Sequence, residues 1–93
     1  WRSMTKDEFF KEALIYLFGG IVSKNECTFK WKQRVNYYTI EIEKDPEDYF
    51  IRIYDNKIIV LSSKDRYKQW NSDFNVSAFK EYFSKMFYDN DIF

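Results

Sequence analysis

The sequence predicts an α+β domain in which a four-stranded antiparallel meander sheet carries an N-terminal and a C-terminal helix on one face, in the order αββββα. Apolar residues recur at helical spacing near both ends of the chain, whereas residues 29–61 show the two-residue period of strands. A chain of 93 residues is too short to divide its apolar residues between two stable cores. We therefore expect one domain over residues 4–93, with residues 1–3 added ahead of a native start at Met4.

The first helix is predicted over about residues 6–18. Thr5 and Glu8 have the spacing of a capping box, in which a hydroxyl and a carboxylate satisfy the unpaired amides of a helix start. Gly19 and Gly20 predict the end of the helix, since glycine readily adopts the left-handed conformation of a helix C-terminus. The residues predicted to form its buried face are Phe10, Ala13, Leu14, Leu17 and Phe18.

Four strands are predicted between the helices, because apolar and polar residues alternate in four segments separated by turn signals. A two-residue turn at Val35-Asn36 would place Lys32 across from Thr39 and Lys30 across from Glu41. Later turns are predicted around Pro46 and at Asp55-Asn56. The side chains predicted to face the helices are those of Phe29, Trp31, Ile40, Ile42, Ile51, Ile53, Ile58 and Val60.

The second helix is predicted over about residues 76–88. Ser72, Asp73 and Asn75 precede it and are three candidates for its N-cap. The apolar side chains of this segment share one helical face, and they are Phe79, Tyr82, Phe83, Met86 and Phe87.

Composition argues against most kinds of catalysis. The chain has no His, one Cys and two Gly, so it lacks the usual acid/base at neutral pH, the common zinc ligand sets and a glycine-rich phosphate loop. Acidic residues around Pro46 and at Asp89 and Asp91 could act as a carboxylate pair or bind Mg²⁺, but such residues are usually solvated. We expect no catalytic residues, no cofactor and no metal; a small ribonuclease using Lys, Arg and Tyr is the one enzyme that remains conceivable.

Charge and cysteine content indicate the environment. Lys and Arg number 15 and so do Asp and Glu, so no long-range field draws the whole molecule to nucleic acid or an anionic membrane. The single Cys27 excludes an internal disulfide and favours a reducing, cytoplasmic location. The longest apolar run, residues 13–22, is too short and too interrupted to span a bilayer.

The sheet face opposite the helices is the predicted binding surface. With the helices on the other side, Phe50, Tyr54, Ile59 and Leu61 would form an exposed apolar strip on this face, which monomers seldom tolerate. The strip could be covered by a partner protein or a second copy of the chain, by the segment 62–74 folded back over it, or by the C-terminal residues. Tyr67, Trp70 and Phe74 favour the fold-back. The chain's acidic and aromatic end suits a second contact with a partner. The predicted partner-binding residues are Phe50, Arg52, Tyr54, Ile59, Leu61, Asp89, Asp91 and Phe93.

The alternative is a domain that binds single-stranded nucleic acid, because basic and aromatic residues are interspersed from residue 29 to residue 38. Its candidate residues are Lys30, Lys32, Arg34 and Tyr37. Strand alternation, however, turns the aromatics of the first strand away from its lysines, and Glu41 and Glu43 would neutralise much of the basic row. The sequence therefore favours a non-catalytic protein-protein interaction domain, such as a small inhibitor or immunity-type protein of a bacterium, phage or mobile element.

Overall fold

The computed structural model describes residues 4–64 and 69–89, which form two helices and a five-stranded sheet. The helices are α1 (Lys6–Tyr16) and α2 (Val76–Asp89), and the strands are β1 (Thr28–Gln33), β2 (Tyr38–Lys44), β3 (Glu47–Ile53), β4 (Ile58–Ser62) and β5 (Trp70–Ser72). The spatial order is β1-β2-β3-β4-β5 and every neighbouring pair is antiparallel. The predicted α+β class and meander are confirmed, but the sheet has five strands where four were predicted.

Helix α1 begins as predicted and ends differently. The Glu8 amide donates to Thr5 Oγ1 over 3.2 Å and the Thr5 amide to Glu8 Oε1 over 3.1 Å, which completes the capping box. The predicted stop at Gly19-Gly20 is wrong, since neither glycine has a positive φ and the chain continues through a π-helical turn, Leu17–Ile21. This continuation buries Leu17 and Ile21 in the core.

Two residues, one in α1 and one in the π-helical turn after it, depart from the predicted buried face. Phe18 is 60% exposed, whereas Phe9, which the prediction omitted, is fully buried. The Phe9 ring packs between α2 and the segment before it, with its centroid 5.4 Å from Phe79 and 5.7 Å from Phe74. The buried face of α1 is therefore rotated towards α2 relative to the prediction.

The strands pair in the predicted register. Lys32 lies opposite Thr39 and Lys30 opposite Glu41, around a turn at residues 35–36. The predicted helix-facing residues of β2, β3 and β4 are all buried. Trp31 at the edge of the sheet is an exception to the predicted core, because 52% of its surface is exposed even though its ring meets Phe10 edge-on.

Strand β5 shows where the segment after β4 goes. Trp70 pairs with Val60 in the register, which places its side chain on the helix face of the sheet, stacked on Tyr82 at 4.7 Å. Phe74 packs against Phe9 on the same side. The predicted fold-back of Trp70 and Phe74 over the opposite face is therefore wrong, and Tyr67 lies outside the described residues.

Helix α2 closes the core. Asn75 caps it, as its Oδ1 accepts the Ala78 amide hydrogen over 3.0 Å. Phe79, Phe83 and Phe87 recur every four residues, are fully buried, and lie over the isoleucines of the sheet. Both helices therefore pack on one face of the sheet, and neither covers the other face.

Polar contacts tie the N-terminal end of α1 to the sheet. The Tyr38 hydroxyl donates to Asp7 Oδ1 over 2.6 Å, and the Lys6 ammonium lies 2.7 Å from Asp55 Oδ1 in the β3–β4 turn. The hydrogen bond to Asp7 raises the pKa of Tyr38, and the bond to Asp55 raises the pKa of Lys6. These contacts fix α1 across the turn end of the sheet.

Candidate partner-binding surface

We define the open face as the side of the sheet that neither helix covers. The strand register assigns its side chains row by row, because residues paired across antiparallel strands point to the same face. Its members within the strands are Lys30 and Lys32 of β1, Thr39, Glu41 and Glu43 of β2, Asp48, Phe50 and Arg52 of β3, and Ile59 and Leu61 of β4. Arg34, Tyr37, Tyr54 and Lys57, at the two turns next to these strands, continue the same rows. Both sets of binding residues predicted from the sequence, apart from the C-terminal ones, therefore lie on one surface.

Charge is segregated along the strands of this face. We call the end near the two turns the basic end, defined by Lys32, Arg34, Arg52 and Lys57. None of these four forms an ion pair with a residue in the ranges 4–64 and 69–89. Surface cations that form no ion pair remain available to carboxylates or phosphates of a ligand, although Glu41 lies among these four.

The basic end is built around two stacked tyrosines. The rings of Tyr37 and Tyr54 lie 5.0 Å apart at 28°, and the Lys57 ammonium lies 5.6 Å from the Tyr54 ring centre. Two backbone hydrogen bonds hold this part of the face: the Arg34 amide donates to the Tyr37 carbonyl and the Tyr54 amide to the Lys57 carbonyl. Each tyrosine therefore lies at a tight turn that a backbone hydrogen bond closes.

Two adjoining depressions run across the basic end. One has a volume of about 160 Å³, and its own lining residues are Lys30, Trp31 and Lys32. The second, of about 130 Å³, lies over β2 and β3. The shared residues are Arg34, Thr39 and Glu41. The second is also lined by Tyr37, Phe50 and Arg52, so cations and apolar ring surface border the same hollow.

The other end of the open face is acidic. Glu43 and Asp48 lie next to each other in the register, and with Glu26 and Asp45 they border a wide depression of about 580 Å³. The Lys30 ammonium lies 3.2 Å from Glu43 Oε1, so its charge is paired with a carboxylate of the acidic end. No three acidic or thiol groups in the described part of the chain are placed to hold a metal ion.

The predicted apolar strip is less exposed than the sequence suggested. All four apolar members of the strip are half-buried, namely Phe50, Tyr54, Ile59 and Leu61. Arg52, two residues after Phe50 in β3, is exposed. The side chain of Asp89, together with Asp91 and Phe93, lies outside the described residues. The large apolar side chains that are exposed lie elsewhere, at Ile15, Phe18, Trp31, Val35 and Tyr88.

Sequence reasoning missed the polarity of this face and the exposure of Trp31. The polarity depends on which residues of four strands share a row, and only the register of all the pairs reveals it. The alternation of Lys30, Lys32 and Arg34 was visible, but the pairing of Lys30 with Glu43 and the freedom of the other two were not.

No protein-family model, curated protein or solved structure matches this chain. Within the ranges that the structure describes, neither helix has the length and apolar character needed to cross a membrane.

Proposed function

We propose that this chain is a non-catalytic domain that binds another protein through the basic end of its open face. The observation that carries the proposal is that Lys32, Arg34 and Arg52 line two adjoining depressions. Arg34 and the carboxylate-bearing Glu41 border both depressions, and Tyr37 borders the second with Arg52. Arginine and tyrosine are enriched where interfaces gain most of their energy. The complementary partner surface carries carboxylates beside apolar or aromatic groups.

The dimensions of the basic end favour a protein over a nucleic acid. It spans about two residues along each strand and four strands across, which is roughly 7 by 14 Å. A patch of that size is short for a single-stranded nucleic-acid site, which covers about 4–16 nucleotides per domain. A nucleic acid that continues along the β-strands would then meet the acidic end. A protein can instead place a few carboxylates on the cations and complement the acidic end with basic side chains of its own.

The form of this function that we propose is inhibition or immunity, in which occupying a partner's surface is sufficient and no reaction is needed. Such a role suits a bacterial, phage or mobile-element protein in a reducing cytoplasm, as the single Cys27 favours. The second copy of the chain is the other candidate occupant of the face, because a two-fold arrangement would set one copy's basic end on the other's acidic end.

A paired charge-reversal experiment tests the proposal. The variant Arg34→Glu/Arg52→Glu removes both arginines of the basic end, and Lys80→Glu/Lys85→Glu makes the same change of net charge on exposed positions of α2. A photo-crosslinking amino acid at Thr39 is then used to capture the partner from nuclease-treated lysate, with the same group at Ser77 of α2 as a placement control. We expect a stoichiometric adduct from Thr39 that the arginine variant loses and the lysine variant keeps.

Equal adducts from Thr39 and Ser77, or an adduct that survives Arg34→Glu/Arg52→Glu, would refute the proposed surface. Analytical ultracentrifugation of the purified chain identifies a second copy as the occupant, through a dimer that the arginine variant dissociates.

The nucleic-acid alternative rests on Lys30, Lys32, Arg34 and Tyr37, of which the last three lie together at the basic end. It predicts that a fluorescent oligothymidylate binds with an affinity that falls steeply with salt, since neutralised phosphates release counterions. An affinity that falls steeply with salt and is lost in Lys32→Glu would favour this alternative over a protein partner, and an affinity independent of salt would rule it out.

A further inference from the structure

The outer edge of β1 is not paired with a strand of the described residues, and it has apolar side chains on one side and basic side chains on the other. Within the described residues β1 has one neighbouring strand, β2, and it is six residues long, twice the length of the opposite edge strand β5. Strand edges present backbone donors and acceptors that can pair with another chain, and proteins normally protect such edges by keeping them short, by covering them or by placing charged side chains on them. Among the described residues, no strand pairs with the β1 edge and β1 is not short, while its lysines favour an acidic segment over an uncharged one.

The register shows which backbone groups of β1 are available. The Arg34 amide bonds the Tyr37 carbonyl, so these residues form a hydrogen-bonded pair. Hydrogen-bonded and non-hydrogen-bonded pairs alternate along an antiparallel ladder, which directs the groups of Lys30 and Lys32 to β2. The amide and carbonyl groups of Phe29, Trp31 and Gln33 therefore point outward from the sheet.

The two sides of this edge differ in chemistry. On the helix side, the exposed Trp31 ring contacts Phe10 at 5.5 Å, and the exposed Phe18 ring lies 6.0 Å from Phe29. These rings form an apolar shelf beside the strand. On the open face, the same edge carries Lys30, Lys32 and Arg34, at every second position.

A strand added to this edge must match both sides. Its residues on the shelf side would cover Trp31 and Phe18, and their alternate neighbours would lie beside the cations. A second copy of β1 is a poor match, because antiparallel self-pairing sets the lysines of one strand against those of the other. Carboxylates at alternate positions, with apolar residues between them, satisfy both requirements.

We propose that the β1 edge accepts an extended segment of the partner protein as a sixth strand, with alternating acidic and apolar residues. This inference rests on the proposed function, because the segment belongs to the partner that the basic end binds. Backbone hydrogen bonds from Phe29, Trp31 and Gln33 would supply affinity, and the alternation would supply specificity, as in other cases of strand addition.

A pair of peptides tests the inference directly. The probe is a synthetic peptide of about eight residues that alternates Glu and Val, and its control is the isomer with all Glu first and all Val after, which has the same charge and composition. Binding is followed by amide chemical shifts of the isotope-labelled chain. We expect the alternating peptide to bind about tenfold more tightly and to shift the amides of Phe29, Trp31 and Gln33 most.

Variants at one edge residue separate backbone pairing from side-chain contact. Gln33→Pro removes an outward amide, which edge strands tolerate, whereas Gln33→Ala keeps that amide and removes the side chain. We expect about a tenfold loss of peptide affinity for the proline variant and little change for the alanine variant. Methylating the peptide amides that face β1 repeats the test without altering the protein, and should cause the same loss.

Equal binding of the two peptides, or of the methylated and unmethylated probe, would overturn the inference. So would a concentration-dependent dimer that the peptide cannot displace, which would show a second copy on the edge. Loss of partner crosslinking in Arg34→Glu/Arg52→Glu together with full crosslinking in Gln33→Pro would refute strand addition alone and leave the proposed function intact. No Thr39 adduct in the wild-type chain would refute the proposed function.

Discussion

The two faces of the sheet use alternate residues of the same strands but meet different demands. On the helix face, Ile40, Ile51 and Val60 are fully buried, and the buried carboxylate of Glu47 accepts a hydrogen bond from the Tyr49 hydroxyl over 3.0 Å. On the open face, Lys32 and Arg52 lack ion-pair partners among the described residues. A protein this small needs nearly every residue of one face for its core, so the free charges of the other face are the ones available for binding.

The sharpest test of this contrast is a truncation on each face. Phe83→Ala removes a fully buried ring between α2 and Tyr49, and we expect a loss of about 3–5 kcal/mol in the free energy of unfolding, measured with urea. Phe50→Ala removes a ring of the same size from the open face, where it is half-buried. The open-face variant should lose less than half as much, and equal losses would break the comparison.

A smaller effect is expected where α1 starts. Thr5→Ala removes the hydroxyl that accepts the Glu8 amide, and should reduce the free energy of unfolding by about 1 kcal/mol. Ser77→Ala changes an exposed hydroxyl near the start of α2 that is not its cap, and serves as the control with an expected change below about 0.5 kcal/mol. A Thr5 effect no larger than the Ser77 effect would show that the capping box contributes little in solution.

Alkaline pH should weaken the turn end of the sheet. The pKa of Tyr38 is raised by its hydrogen bond to Asp7, so the folded chain favours the neutral phenol. This contribution is fully present below the unfolded value near pH 10 and is lost as the pH rises through the folded value. The raised pKa of Lys6, held by Asp55, acts in the same direction. Unfolding midpoints measured from pH 8 to 11 should fall less steeply for Tyr38→Phe than for the wild-type chain.

The smallest effect on stability should accompany the largest effect on binding. Arg34→Glu/Arg52→Glu alters exposed side chains without ion-pair partners in the described part of the chain. The free energy of unfolding, measured with urea, should therefore change by less than about 0.5 kcal/mol. Partner crosslinking at Thr39 should nevertheless disappear. A large loss of stability would mean that the arginines serve the fold.

The fold could be predicted where local signals and tertiary structure agree. The capping box at Thr5, the turn at residues 35–36 and the face of α2 each depend on a few neighbouring residues, and the structure shows all three. Strand β5 has only three residues, too few for a two-residue period to stand out. At Gly19-Gly20, burial of Ile21 outweighed the local preference of glycine for a helix end.

The candidate surface was less predictable for a different reason. Alternation correctly assigned Lys32, Arg34 and Arg52 to one face, but their separation from Glu43 and Asp48 is a property of the whole sheet. The predicted meander already placed β1 at the edge of the sheet, but it did not reveal that the nearby α1 leaves 52% of the Trp31 surface exposed.

The contrasting positions of Trp31 and Trp70 give the chain two internal optical reporters. Trp31 is largely exposed at the sheet edge, so its fluorescence should be red-shifted and accessible to iodide, whereas Trp70 is stacked on Tyr82 at the opposite edge. In a Trp1→Phe background, covering the β1 edge would shift emission to the blue and reduce quenching, whereas unfolding would shift it to the red. Engagement of a partner and loss of the fold therefore move the same emission band in opposite directions.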